Sequence, residues 1–393
     1  MMDIKKEISL LEEELVSLRR DFHRNPELGY QEYRTSEIIT NYLTQCGFDV
    51  KQVCKTGVVG LLNGKEPGRT LLLRADMDAL PQEELNELSY KSVHQGKMHA
   101  CGHDGHMAML LVAAKLLARH KDEFKGTLKV VFQPNEEEAG ALDMVKAGVL
   151  EDPKVDAALA LHLWTPLESG KIGLAAGPVM AANEEFELTV FGNAGHTATP
   201  QTAIDPLVSV ATIIQAVQSI QTREVNVLDP TLIMFGKIKG GTGRNIVADQ
   251  VQLGGTLRFL YKNEEKEKAE LKERFERVIS GICSAMRTKY KLEYIPSNPA
   301  LMNDPAMTEL ARKSAREVLG GDGQIVSYSC MAGEDFAEFS CRVPSVFCFI
   351  GTGNSQKETD FPHHHPQFNL DEDTLVTGVE MHVRTALSYL NKM

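Results

Sequence analysis

Three short apolar runs, each stopping on polar and chemically competent residues, constrain this chain most. Thr70–Asp76 reads as a buried strand and ends in Asp76-Met77-Asp78. Gly126–Phe132 reads as another and ends at Gln133-Pro134-Asn135-Glu136-Glu137-Glu138. Ala157–Leu161 reads as a third and delivers His162 just beyond its end, followed by Trp164, the chain's one tryptophan. Strands that are apolar throughout belong in a mostly parallel sheet with helices over both faces. In such sheets ligands gather beyond the carboxyl ends of the strands. Three adjacent carboxylates there are costly unless something positive neutralises them.

Between the first two runs lies His99-Ala100-Cys101-Gly102-His103-Asp104-Gly105-His106. A thiol, three imidazoles and a carboxylate stand together with two glycines that permit a tight turn. The apolar run Met107–Leu117 follows and reads as a helix, so the cluster sits at a loop-to-helix junction. Cys101 and His103, two apart, face one site if the segment is extended. A polar turn with surface histidines is the plain alternative. Cysteine and histidine at this spacing, flanked by strand ends bearing carboxylates and a further imidazole, are better matched to a metal centre. Late in the chain, His363-His364-His365-Pro366 offers one more imidazole, and the residues alone leave open which of the three serves.

The remaining segments set the architecture. Ile4, Ile8, Leu11, Leu15 and Leu18 give residues 3–24 the period of one amphipathic helix, and Glu32–Tyr42 repeats it. Asp49–Val53 and Gly57–Asn63 read as strands. Beyond residue 182 the pattern changes. Glu184–Phe191 alternates like a strand with one exposed face, Asp205–Ile220 reads as a helix, Thr231–Ile238 and Val247–Leu260 as strands, and Glu264–Arg287 as a long charged helix. From Ala306 the first pattern resumes, with helix Ala306–Leu319, strand Ser345–Ile350 and helix Asp373–Leu390. The fold class expected is α/β: a mixed, mostly parallel sheet flanked by helices over residues 1–182 and 295–393, with an inserted two-layer α+β module over 183–294.

Composition narrows the partners. A net charge of -12 argues against nucleic acid and anionic membranes, while a small anionic substrate needs only a local positive pocket. No apolar stretch reaches the ~18 residues needed to span a membrane. Met1–Arg20 alternates charge and leucine without an apolar signal segment, so the expected compartment is the cytoplasm. Seven scattered cysteines do not form a disulfide framework. Cys46, Cys54, Cys283, Cys330, Cys341 and Cys348 read as core or subsurface thiols.

Taken together, the chain resembles the M20 metallopeptidase clan in its amidohydrolase branch, which contains N-acyl-amino-acid amidohydrolases, hippurate hydrolases and indole-acetyl-amino-acid hydrolases. The matching stretches include Arg19-Arg-Asp-Phe-His-Arg-Asn-Pro-Glu27, Arg74-Ala-Asp-Met-Asp-Ala-Leu-Pro81, Met98-His-Ala-Cys-Gly-His-Asp-Gly-His106, Gln133-Pro-Asn-Glu-Glu137, Gly195-His196, Gly255-Thr-Leu-Arg258, Gly333-Glu-Asp-Phe336 and His364-His-Pro366. The resemblance implies a zinc-exopeptidase-like fold with a lid domain, and two divalent ions (Zn, Mn or Co) held by Cys101, His103, Glu137, His162 and His364. It makes Cys101 the bridging thiolate, Glu136 the general base and Asp78 a carboxylate that orients the site. His196 matches a lid histidine that reaches the scissile carbonyl, often from the other subunit of a dimer. Asn245 and Arg258 match residues that hold a substrate α-carboxylate. A homodimer or higher homo-oligomer through the lid is implied as well.

This chain departs from the branch at Glu138, at Thr197-Ala-Thr-Pro-Gln201 and at Asn183-Glu184-Glu185. None of these removes a ligand, and two lie in the expected lid. The activity implied is metal-dependent hydrolysis of N-acyl-L-amino acids to a carboxylate and a free amino acid. A di- or aminopeptidase of the same fold is the alternative enzyme. A free α-amine calls for a nearby carboxylate, for which Glu138 or Glu184 is available. A non-catalytic metal- or carboxylate-binding protein is the third reading, and Glu136 argues against it because binding alone needs no base.

Overall fold

The apolar runs become adjacent strands, and pairing between them sets the edge on which the polar residues collect. The computed structural model describes residues 3–261, 264–296 and 298–391. The chain divides into two compact units. One comprises Met1–Val179, Met302–Ser329 and Asp335–Met393, and the other Met180–Leu301 with Cys330–Glu334.

The first unit is built on an eight-stranded sheet. Its order is Asp49–Val53, Gly57–Asn63, Thr127–Gln133, Thr70–Asp76, Ala157–Glu168, Ser345–Gly353, Ile172–Gly173 and Ile325–Val326. The central strands Thr127–Gln133, Thr70–Asp76, Ala157–Glu168 and Ser345–Gly353 run parallel to one another. The outer strands from Asp49 to Asn63 pair antiparallel, as does Ile172–Gly173 with Ser345–Gly353, so the sheet is mixed.

Helix His103–Arg119 is buried along nearly its whole length, as a helix apolar on all sides must be. It packs against Glu12–Arg24 and Leu375–Leu390, and its core face lies on the central strands. Lys129 is buried within Thr127–Gln133, where its ammonium donates to the carbonyls of Val149, Glu151 and Pro153 at 2.9, 2.6 and 2.8 Å.

The second unit is a four-stranded antiparallel sheet in the order Thr231–Gly240, Gln250–Phe259, Ala182–Phe191, Lys289–Pro296. Helices Pro206–Ala216 and Glu264–Ala285 pack on it over Phe186, Leu188, Val190, Ile213, Leu271 and Phe275. A two-residue ribbon joins Gly195–His196 to Ile246–Val247.

Several expectations are corrected. Residues 3–24 are not one helix but Ile4–Ser9 and Glu12–Arg24, because Leu10 and Leu11 form a turn between them. The third apolar run extends from Ala157 to Glu168, so His162 lies within a strand rather than beyond it. Val247–Leu260 is interrupted at Ala248-Asp249. Strand Lys289–Pro296 was not expected; it is an edge strand that alternates exposed Lys289, Lys291 and Glu293 with half-buried Tyr290, Leu292 and Tyr294. Cys341 is exposed, not subsurface. No described helix is long and apolar enough to cross a membrane.

Candidate metal centre

The register of the parallel strands places Asp76 opposite Gln133, so the two chains leave the sheet side by side. Asn135 then takes a left-handed conformation (φ 58°) and Glu136–Glu138 form a single 3-10 turn. That turn brings both Glu136 and Glu137 to one side, which consecutive residues of a strand cannot do. Asp78 secures it: its two carboxylate oxygens accept from the backbone N–H groups of Glu136 and Glu137 at 2.9 and 3.1 Å. The Asp78 carbonyl also accepts from Nδ1 of His103 at 2.8 Å.

Cys101 and His103 converge by a different route from the one expected. The segment is not extended: Gly102 has φ 95°, a value that suits glycine, and His103 is the first residue of the buried helix. His162 donates through Nδ1 to the Leu163 carbonyl at 2.8 Å, and its Nε2 stands 3.7 Å from the Cys101 sulfur. Each of these imidazoles thus has its Nδ1 committed and its Nε2 directed inward.

The three consecutive histidines are separated by their surroundings. His363 donates to the Leu163 carbonyl at 3.0 Å and stacks on Trp164 with centroids 4.3 Å apart. His365 stacks on Phe361 and accepts from the Gln367 N–H. His364, left-handed at φ 64°, brings its Nε2 to 3.3 Å from Glu137.

Two donor groups result, and they share one residue. Cys101, His103 and His162 bring a ligand atom each within 4.8 Å of one another, and so do Cys101, Glu137 and His364. His103, Glu136 and Glu137 form a further such group. The His103 Nε2 is buried and makes no hydrogen bond among the described residues, and the buried Glu137 oxygen has only the His364 imidazole beside it, at 3.3 Å. Buried atoms of this kind are costly unless something positive binds them. A thiolate, imidazoles and a carboxylate together suit zinc-like divalent ions, so these residues fit a two-ion centre.

Electrostatics agree with that fit. Burial raises the Cys101 thiol, and Glu137 beside it adds to the effect. Hydrogen bonds from His364 to Cys101 and Glu137 push that imidazole up to about 10. Burial disfavours charge on His103, but Asp76 and Cys101 override it and hold the imidazole well above its ordinary value. His162 is driven the other way by burial and by His106. Bound cations would release the protons that now offset the negative groups.

The sequence marks His106 and Asp76 only as members of polar clusters and gives Arg74 and Asp335 no role, yet all four hold these donor side chains in place. His106 pairs through Nδ1 with the Asp76 carboxylate at 2.7 Å and accepts the Leu163 N–H on Nε2 at 2.9 Å, so both ring nitrogens are engaged. Burial opposes ionisation of Asp76, yet His103, His106 and Arg74 keep its carboxyl well below the usual range. Arg74, fully buried, donates to Asp76, Gln133 and Asp335 at 2.7 to 2.9 Å. Asp335 also accepts the Ala141 N–H, just beyond the glutamate turn. On the other side of His103, Asp104 accepts from Arg19 and His23. These partners lie up to 261 residues apart in sequence, and local pattern carries no signal of them.

His196, Asn245 and Arg258 belong to the second unit. His196 is exposed on the two-residue ribbon, opposite Ile246, and its Nδ1 accepts the Ala198 N–H at 3.0 Å. Asn245 precedes Ile246, and its carbonyl accepts from Thr197. Arg258 lies on Gln250–Phe259 opposite Asn183, with Nη1 3.3 Å from the Met331 carbonyl. Glu184 is unavailable for a substrate amine: it is buried and paired with Lys268 and Lys272. Glu138 is exposed.

Residues 72–388 match the model of peptidase family M20/M25/M40. Thermostable carboxypeptidase 2 of Saccharolobus solfataricus is 35% identical over 99% of this chain and 98% of its own length. N-acetyl-L-cysteine deacetylase of Bacillus subtilis is 37% identical over 94% of this chain and 86% of its own. In structure, the Bacillus subtilis YXEP protein, described as a dinuclear metal-binding peptidase of the M20 family, superposes with a TM-score of 0.86 at 31% identity, over 98% of this chain and 99% of that one. With shared sequence over nearly its full length and a donor set suited to two ions, the chain belongs to peptidase family M20 and is a metal-dependent hydrolase.

Proposed function

We propose that this hydrolase cleaves the amide bond of N-acyl-L-amino acids, releasing a carboxylate and a free amino acid. The observation that carries the reading is the sharing of Cys101 between two donor groups with Glu136 beside them. Bound divalent ions (Zn²⁺, Mn²⁺ or Co²⁺) at Cys101, His103, Glu137, His162 and His364 would supply an activated water and an electrophile for the carbonyl oxygen. Glu136 then takes the proton from the attacking water and returns it to the departing nitrogen. Its carboxylate is aimed by the Asp335 N–H, 3.4 Å from one oxygen, and by Asp78 through its own backbone N–H. His196 contributes a donor to the developing oxyanion. Arg258 and Asn245 hold the α-carboxylate, Arg258 in the two-pronged geometry that carboxylates favour.

In this reading residues 1–182 and 295–393 are the catalytic domain, and 183–294 a lid that also joins subunits. Support for the second role comes from the outermost strand Thr231–Gly240, which exposes Leu232, Met234 and Ile238 along an unpaired edge. The substrate is a small molecule, and the compartment proposed is the cytoplasm. A carboxypeptidase acting on short peptides is the second reading, supported by the similarity to the Saccharolobus enzyme. For an aminopeptidase, the pairing of Glu184 leaves Glu138 as the carboxylate available to a substrate amine.

The test is release of free amino groups from N-acyl amino acids, N-blocked peptides and free dipeptides, using protein stripped of metal and reloaded with each ion. Metal-restored cleavage of N-acyl amino acids supports the proposal. Cleavage of peptides alone, with N-acyl amino acids untouched, overturns it.

A further inference from the structure

The turn that carries Glu136 and Glu137 is held by more than Asp78. Three successive backbone N–H groups, those of Asn135, Glu136 and Glu137, all point at carboxylates. Asp78 takes the second and third. The first is taken by Glu32, whose Oε1 stands 3.1 Å from the Asn135 nitrogen. Successive N–H groups converging in this way form an anion-binding concavity, occupied here by the protein's own side chains.

Glu32 is suited to this task and to little else. It is fully buried, at the start of helix Tyr33–Gln45, and makes no capping bond to that helix. Glu27 does the capping instead, accepting from the N–H groups of Arg34 and Thr35. The second Glu32 oxygen accepts the Thr56 hydroxyl at 2.7 Å, which fixes the carboxylate's orientation. Burying a carboxylate here is unfavourable, and burial raises its pKa to about 7. A buried acid whose side chain caps no helix and pairs with no cation among the described residues needs a reason to be there.

The turn needs outside support because its backbone is strained at both ends. Asn135 (φ 58°) and Ala139 (φ 63°) are left-handed without being glycine. The space around it is also tightly filled. A Cβ on Gly29 would lie 1.9 Å from the Asn135 side-chain oxygen, and one on Gly140 would lie 2.3 Å from the Pro134 carbonyl.

We propose that Glu32 is a positioning residue for the site: by holding the Asn135 N–H beside the two held by Asp78, it sets the directions of the Glu136 and Glu137 carboxylates. This rests on the roles proposed above for those two glutamates. The effect should match that of other groups that orient metal ligands, about 10–100-fold in metal affinity or turnover.

The test loads the full chain with Co²⁺ and follows the thiolate-to-cobalt absorption of Cys101, together with kcat and KM on the best N-acyl amino acid. Glu32→Ala is expected to weaken binding of one of the two cobalt ions about tenfold or more, and to lower kcat with little change in KM. Glu32→Gln keeps an acceptor oxygen for the Asn135 N–H and is expected to restore both to within about threefold. Thr56→Val, a change of similar size that frees one carboxylate oxygen, should fall between them and keeps the test open if Glu32→Ala does not fold. Glu32→Ala or Thr56→Val protein with wild-type cobalt affinities and absorption overturns the proposal. The cobalt readout needs no substrate, so failure of wild-type protein to cleave N-acyl amino acids would count against the proposed activity and leave the Glu32 result standing.

Discussion

The backbone N–H of His364 donates to the carbonyl of Ala100 at 2.8 Å. Residues more than 260 positions apart in the chain are thereby tied at the point where Cys101 and the His364 imidazole approach one another. His364 makes this bond from a left-handed conformation (φ 64°), and the preceding His363 is stacked on Trp164. The three histidines are thus set apart by backbone position, and His364 is the one whose imidazole meets Cys101 and Glu137.

Glu136 should be separable from the metal ligands. Glu136→Gln is expected to retain two ions per chain and to lose about 10²–10⁴-fold in kcat, the usual range for a lost general base. Elemental analysis beside steady-state kinetics checks this. Activity near that of the wild type would remove Glu136 from proton transfer.

His103 and His106 stand three apart on one helix and should behave differently. His106 has both ring nitrogens engaged, with Asp76 and the Leu163 N–H, whereas the His103 Nε2 makes no hydrogen bond among the described residues. His106→Gln should therefore still bind two ions, with affinity reduced about 10–100-fold. His103→Gln should lose at least one ion outright. Isothermal titration with Zn²⁺ into chelator-treated protein distinguishes the two.

Lys129 predicts a stability effect without a functional one. Lys129→Met removes the donor to three buried carbonyls while filling much of the same volume. Leaving such acceptors unpaired costs about 2–4 kcal/mol. A lower urea midpoint with unchanged kcat for the folded protein is the expected outcome.

His23 gives the stability a pH dependence of known sign. Its two ring nitrogens face Asp104 at 2.8 Å and Glu84 at 3.2 Å. Burial and Arg19 oppose protonation, but these carboxylates prevail and raise its pKa above the usual 6.5. The folded state thus binds this proton more tightly than the unfolded state. The contribution is fully present below pH 6.5 and is lost as pH rises through the folded value. Urea midpoints of wild type and His23→Gln, both in chelator, should differ most near pH 6 and converge at higher pH. A gap that widens with pH would contradict the assignment.

The strands Asp49–Val53, Gly57–Asn63 and Thr70–Asp76 were legible to the residue: the last two are apolar runs buried almost throughout, and the first is a short, largely exposed edge that precedes them. The third central strand was cut short at His162 because a histidine looks like a strand end. Its pairing with Ser345–Gly353 carries it on to Glu168, and that pairing is invisible locally. Lys289–Pro296, with Lys289, Lys291 and Glu293 facing outward along an edge, has only Tyr290, Leu292 and Tyr294 on its inner face, a short apolar signal. In the site, the motifs whose donor atoms converge could be read because their chemistry is concentrated in a few residues. Glu32, Arg74 and Asp335 could not: each is an ordinary charged residue until the fold brings it to a distant partner.

The helix that begins at His103 is covered on all sides from its first turn. Its amide protons should be among the slowest in the molecule to exchange with solvent, opening only when the whole unit opens. The His103 imidazole, the donor proposed there, is consequently held in place by the fold itself. Chelation should silence the protein without unravelling it, and an ion should enter a cradle already built.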